Sequence, residues 1–163
     1  MKPGDHPDFF RLPPPPGRSR ESTIRLDREG RFFHDGEPVE HAGMATAFAS
    51  WIGRHPDDGR FVLTNGYDWT YFEVDDTPFF VEGLRTTPDG VMLRLFDGTE
   101  EPLAASTLRL DAEGRVRVRV KAGAFDAKLT REAQLALAPF LEENPPGAFS
   151  LVISGVRYGL PAA

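Results

Sequence analysis

Four side chains in the first half of the chain are of the types that acid–base or metal chemistry uses: His34, Asp35, His41 and Asp68. Neutral imidazole and carboxylate oxygen suit a borderline divalent metal, and an imidazole beside a carboxylate can act as a general base. Brought together by the fold, His34, Asp35 and His41 would ligate an ion and Asp68 would serve as the base of a metal-assisted hydrolase. Their spacing matches no metal signature, and turn residues ahead of a helix account for such a cluster without a site. The residues alone therefore lead us to expect no bound metal and no cofactor, with the hydrolase as the alternative reading.

A second group of residues is suited to binding. Tyr67, Trp69 and Tyr71 alternate within the stretch Tyr67 to Val74, so in a strand they share one face while Phe72 and Val74 take the other. Rings with polar tips suit a pocket rim or an interface, whereas a helix lying across them would make the same stripe part of the core. Arg115, Arg117, Arg119 and Lys121 alternate with Val116, Val118 and Val120, the pattern of a strand with one core face and one charged face. Those cations could meet phosphate or RNA, but no aromatic residues interleave with them as a base-stacking platform requires. A solvated or internally paired face is the better expectation, with Asp68, Glu73, Asp75, Asp76 and Glu82 as partners. His6-Pro7-Asp8 and His55-Pro56-Asp57 match the tripeptide with which J-domains engage a chaperone, yet neither lies between two helices, and helix termination explains the second. Gly-x-Ser-x-Gly, His-Glu-x-x-His and a phosphate-cradling glycine loop before a helix do not occur.

The elements that must position these residues come as two similar sets. Ser22 to Arg31 reads STIRLDREGR and Ser106 to Arg115 reads STLRLDAEGR, a recurrence that implies a duplicated supersecondary unit. In each copy a short strand runs into an Asp-x-Glu-Gly turn and returns. The aspartate can bond its own turn backbone and the glycine supplies the positive φ. Next comes a helix. Ala42 to His55 places Met44, Ala47, Phe48, Trp51 and Ile52 on one face and ends at Pro56. The copy runs from Thr130, an N-cap, to about Glu143 with Leu135, Ala138 and Leu141 inward and Leu137 as a further candidate, and Pro139 predicts a kink or a split. His34 and His41 have no histidine counterpart in the second copy. Each helix leads to a hairpin that opens with Gly, any residue, Phe: Gly59-Arg60-Phe61 turning at Asn65-Gly66, and Gly147-Ala148-Phe149 turning at Ser154-Gly155. A further hairpin around Pro88-Asp89-Gly90 joins the halves. The expected fold is α+β: two similar β-hairpin, helix, β-hairpin halves packed as one compact unit, with about ten short, mainly antiparallel strands and two helices. Residues 1–21 form a proline-containing arm that Phe9 and Phe10 could pin to the body; 22–86 make the first half, and 87–163 the connecting hairpin strand and the second.

In its order of segments the chain resembles the bacterial domain of unknown function 1285 (DUF1285) family. The resemblance rests on the run from Thr23 through DDTPFFV (Asp75 to Val81), RVKAGAF (Arg119 to Phe125) and SGVRYGLP (Ser154 to Pro161). It implies a compact duplicated α+β fold and a part in signal transduction, and it brings no catalytic residue to any position.

Bulk properties narrow the function classes. A net charge of −6 over 163 residues argues against a whole-surface nucleic-acid footprint. With no cysteine there is no thiolate nucleophile and no disulfide framework, which suits a cytoplasmic setting. The first 20 residues lack the apolar run of a signal peptide, and no stretch is apolar for long enough to span a bilayer, so neither secretion nor membrane insertion is expected. The reading that results is a non-enzymatic cytoplasmic module that binds a small molecule or a protein. It would use the Tyr67, Trp69, Tyr71 surface or the seam between the halves, where a homodimer contact would also fall. A nucleic-acid accessory acting through the basic strand is the weaker alternative.

Overall fold

The computed structural model describes all 163 residues, Met1–Ala163. The chain divides into two compact units, Met1–Pro78 and Phe79–Ala163. No helix is long and apolar enough to cross a membrane.

The first unit holds β1 (Arg25–Leu26), β2 (Phe32–His34), β3 (Glu37–Pro38), α1 (Ala42–Ser50), β4 (Ile52–Arg54), β5 (Phe61–Thr64), β6 (Trp69–Tyr71) and β7 (Glu73–Val74). They form two sheets, ordered β3-β2-β1-β7 and β4-β5-β6. The second unit holds β8 (Phe79–Thr87), β9 (Gly90–Leu95), β10 (Glu100–Pro102), β11 (Arg109–Leu110), β12 (Val116–Val120), β13 (Phe125–Leu129), α2 (Arg131–Leu137), β14 (Leu141–Glu143), β15 (Phe149–Ile153) and β16 (Val156–Leu160). Its sheets run β10-β9-β8-β13-β12-β11 and β14-β15-β16. The architecture is the α+β fold read from the sequence, and the strands beyond the expected ten are mostly pieces of two or three residues.

The duplication is visible element by element. In the first copy β1 pairs antiparallel with β2 and parallel with the late strand β7. In the second, β11 pairs antiparallel with β12, and Leu110 makes a parallel bridge to Ala162 near the chain end. The two aspartate turns share one chemistry. Asp27 Oδ1 accepts from the amides of Glu29 and Arg31, and Asp111 Oδ1 accepts from those of Glu113 and Arg115. Gly30 and Gly114 close the turns at φ 86° and 81°, a region that a Cβ disfavours.

Two helix expectations need correction. The first helix stops at Ser50, not His55, because Ile52, Gly53 and Arg54 turn into β4 and pair with Leu63, Val62 and Phe61. Ladder bonds satisfy that backbone better than another helical turn through Gly53 would. In the second copy Thr130 caps α2 as expected, its Oγ1 accepting from the amide of Ala133. The helix then splits at Pro139 into a 3-10 turn, Ala138–Phe140, and the strand β14. Of the residues expected inward, Leu137 is buried together with Ala133, whereas Leu135 is 73% exposed and Leu141 is exposed as well. Met44 of α1 is likewise exposed. The core of the second unit is built from β8, β12 and β13, where Phe80, Val81, Val118, Val120 and Ala127 are fully buried.

Candidate functional site

The four candidate catalytic residues do not form one site. His34 ends β2, and its Nε2 lies 3.7 Å from Oδ2 of its neighbour Asp35, both side chains open to solvent. Asp35 sits in the turn at φ 51° and accepts a 2.6 Å hydrogen bond from the hydroxyl of Thr23. His41 is the N-cap of α1, its Nδ1 accepting from the amide of Met44 at 3.1 Å. Asp68 accepts from Arg20 Nη1 at 2.5 Å and from the amide of Trp69. Partial burial works against ionisation of Asp68, but these two donors hold its carboxyl below the usual range. No three or more of the chain's histidines and carboxylates are grouped so as to hold a metal ion.

The aromatic stripe is divided. Tyr67 lies outside the strand, in the β5–β6 loop, 63% exposed with Lys2 Nζ 5.7 Å from its ring centre. That loop is set by Asn65, whose Oδ1 accepts from the amides of Tyr67 and Asp68. Trp69 is 6% exposed and forms a small core with Phe9 and Val62, flanked by Phe10 and Tyr71. Its ring meets those of Phe10, His55 and Tyr71 at centroid distances of 5.4, 5.2 and 5.0 Å, with the Arg20 guanidinium 4.5 Å away. Tyr71 stacks on His55 and lies under the Arg60 guanidinium at 3.7 Å. Its hydroxyl donates to Asp58 at 2.7 Å, which raises the phenol pKa and lowers that of Asp58. The N-terminal arm covers Trp69 and Tyr71, its 3-10 turn Phe9–Arg11 setting Phe9 and Phe10 against them.

His55, which the sequence offered as part of a His-Pro-Asp tripeptide closing the first helix, is central to that cover. It is buried. Its Nδ1 accepts from the amide of Asp57 at 3.1 Å, so the Nε2 proton is directed to the Phe10 carbonyl at 3.0 Å. Next to it Arg11 forks onto Asp57 at 3.0 and 2.6 Å, lowering the pKa of that carboxyl. His55→Ala would leave the Phe10 carbonyl unpaired and remove a ring from the cluster. Trypsin cleavage after Arg11 in the native protein is expected to speed up roughly tenfold, because such cleavage follows the population of the open arm.

The basic strand finds partners within its own unit. Arg117 Nε donates to Asp111 at 2.9 Å. Arg119 donates to the Gly123 carbonyl at 2.9 and 3.1 Å, and its Nη1 is 3.5 Å from Asp126. Arg115 Nη2 donates to the Leu129 carbonyl at 2.5 Å. Lys121 lies past the end of β12 at φ 55°, its Nζ 2.8 Å from Asp97. These cations brace loops against the sheet.

The first unit has an open cavity of about 450 Å³ between the arm and Trp51, Thr64 and Asn65, and a more enclosed, more apolar site with space for a ligand lies in the second unit. Parallel pairing of β13 with β8 covers only Phe79 to Val81. At Thr130 the chain leaves the sheet as α2, which packs beside the remainder of β8. Small residues on that helix, Ala133 and Ala136, leave a pocket of about 390 Å³ between α2 and the β8–β9 hairpin, closed by Leu84, Val91, Leu137, Phe140 and Ile153. One ionisable residue, Arg85, lines it, and that guanidinium is bonded through Nε to Glu100 at 2.8 Å. The lining thus contains apolar surface and strand backbone, but no carboxylate, imidazole or hydroxyl–base pair. No motif marks such a pocket in the sequence; the signals that bear on it are the alanines of α2 and the break at Pro139.

No protein-family model and no curated protein matches this chain. Among solved structures it is similar to a DUF1285 family protein from Silicibacter pomeroyi DSS-3, with 25% sequence identity and a TM-score of 0.63, covering 86% of this chain and 80% of that one. A DUF1285 family protein from Shewanella baltica OS155 shares the fold at 19% identity and a TM-score of 0.55, over 69% of this chain and 87% of that one.

Proposed function

Given that the chain belongs to the DUF1285 family, we propose that it is a non-enzymatic binding module whose ligand site is the apolar pocket between α2 and the β8–β9 hairpin. The observation that carries this reading is the pocket itself: about 390 Å³, within the range of small-molecule sites, with a predominantly apolar lining. The acid–base side chains support the same reading, because His41, His55 and Asp68 cap a helix, clasp the arm and anchor Arg20. A neutral apolar molecule would displace poorly bonded water and leave no buried charge uncompensated. The cytoplasmic setting and the signalling role suggested by the sequence belong to this proposal, with ligand occupancy as the signal.

Titration with 1-octanol, followed by amide shifts in the full-length protein, tests the placement. Saturable shifts are expected at Leu84, Val91, Ala136, Leu137 and Ile153, with Trp69 and Tyr71 unmoved. Shifts confined to the Trp69 cluster, or none that saturate, would refute it.

A further inference from the structure

The cover over Trp69 is a segment of the chain's own N-terminus, and the way it is attached suggests a second use. Its contacts are dense and local. The Gly4 amide donates to the Gly66 carbonyl at 2.7 Å, Phe9 is buried against Val62 and Trp69, and Arg11 forks onto Asp57. Arg20, already part of the body through the Tyr71 amide that bonds its carbonyl, donates to the carbonyls of Leu12 and Pro13 at 3.3 and 3.2 Å.

Between those last arm contacts and Arg20 lies a connector of different character. Pro14, Pro15 and Pro16 have no amide hydrogen to give, and the main-chain bond that holds the stretch is Arg18 N to the Pro15 carbonyl at 3.0 Å. The reversal is made at Gly17, φ 77°, with nothing within 4 Å of where a Cβ would stand. Pro16-Gly17 suits the closed turn, while the prolines equally favour an extended polyproline II path, so the connector has two conformations open to it and one main-chain bond between them. Opened, Pro14 to Arg18 would span roughly 15 Å.

We propose that the arm is an exchangeable element, and that the Trp69 cleft accepts the arm of a second copy of this chain, giving a reciprocal dimer. Every arm contact of the closed chain is remade in such a dimer, and only the connector changes. A tether this short gives the arm an effective concentration of roughly millimolar, so the closed monomer dominates in dilute solution and the dimer appears as concentration approaches that value.

Charge reversal separates exchange from simple loosening. Arg11→Asp places an acid opposite Asp57, and Asp57→Arg places a base opposite Arg11, so each variant repels its own arm. In a mixed dimer both joints are complementary. An equimolar mixture is expected to show dimer mass by light scattering at micromolar concentrations where each variant alone is monomeric. The doubly reversed chain, Arg11→Asp with Asp57→Arg, should return to wild-type behaviour. As a second route, Gly17→Val strains the closed turn without a clash, and a residue forced into that region should raise the wild-type dimerisation constant by roughly tenfold or more. A mixture that stays monomeric while both variants keep wild-type circular dichroism would overturn the proposal. So would a Gly17→Val chain that dimerises no more readily than the wild type.

Discussion

Trp69→Ala is expected to destabilise the protein by about 3–5 kcal/mol, the usual cost of deleting a large buried aromatic ring. The indole is packed by Phe9, Phe10, His55 and Tyr71, with Arg20 across its face. Its removal takes the floor from under the arm. The indole Nε1 has no hydrogen-bond partner, so Trp69→Phe gives up shape and area but no bond and should cost only about 1–2 kcal/mol. Tyr67→Ala, two residues away on the loop, is expected to stay within about 0.5 kcal/mol. Urea unfolding of the three full-length variants, followed by far-UV circular dichroism, gives the comparison. Equal small losses at Trp69 and Tyr67 would mean that Trp69 is an exposed binding surface after all, with the arm resting loosely on it.

Asp97→Ala should cost about 2–3 kcal/mol. The carboxylate is nearly enclosed, its side chain 5% exposed, and it receives Lys121 Nζ at 2.8 Å together with the hydroxyl and amide of Thr99 at 2.6 and 3.0 Å. Burial works against its ionisation, but Lys121 and Thr99 outweigh that and hold the folded pKa below the ordinary value. Because the folded pKa is depressed, the stabilisation is fully present above the unfolded pKa of about 4 and disappears as pH falls through the folded value. The urea midpoints of wild type and Asp97→Asn should therefore differ at pH 7 and converge as pH is lowered below about 4. A gap of constant size across that range would mean that Asp97 acts through packing and not as an anion.

Local chemistry in the sequence reported directly on local structure. The Asp27 and Asp111 turns, the Thr130 cap, the β8–β9 hairpin and the break at Pro139 each depend on a few adjacent residues, and each forms as read. The first helix was misjudged at its end because the residues that recruit Ile52–Arg54 into a sheet, Phe61 to Leu63, lie beyond the Pro56 that looked like the terminator. Among the site residues, Tyr67, Trp69 and Tyr71 read as one aromatic stripe, but Tyr67 falls in a loop, and what covers Trp69 and Tyr71 comes from nearly sixty residues earlier in the chain. No periodicity encodes such a contact, and the two phenylalanines of the arm were its one sequence signal. The basic strand showed its valine face and charged face clearly, while its partners Asp97, Asp111 and Asp126 depend on loop paths that alternation does not specify. The pocket was least visible of all, since it arises where β13 stops pairing and α2 departs, a consequence of topology that the alanines of α2 and the break at Pro139 do not specify by themselves.

The central claim is that the pocket beside α2 is a ligand site, and blocking it is the most direct test. Ala136 lines the pocket at the exposed surface of the helix, so Ala136→Trp should fill the mouth without disturbing the buried Ala133 and Leu137. Titration with the neutral fluorophore N-phenyl-1-naphthylamine is expected to give saturable one-to-one binding to the wild type, reduced at least tenfold in Ala136→Trp at unchanged thermal stability. Equal binding to both proteins, or fluorescence that rises without saturation, would contradict the account.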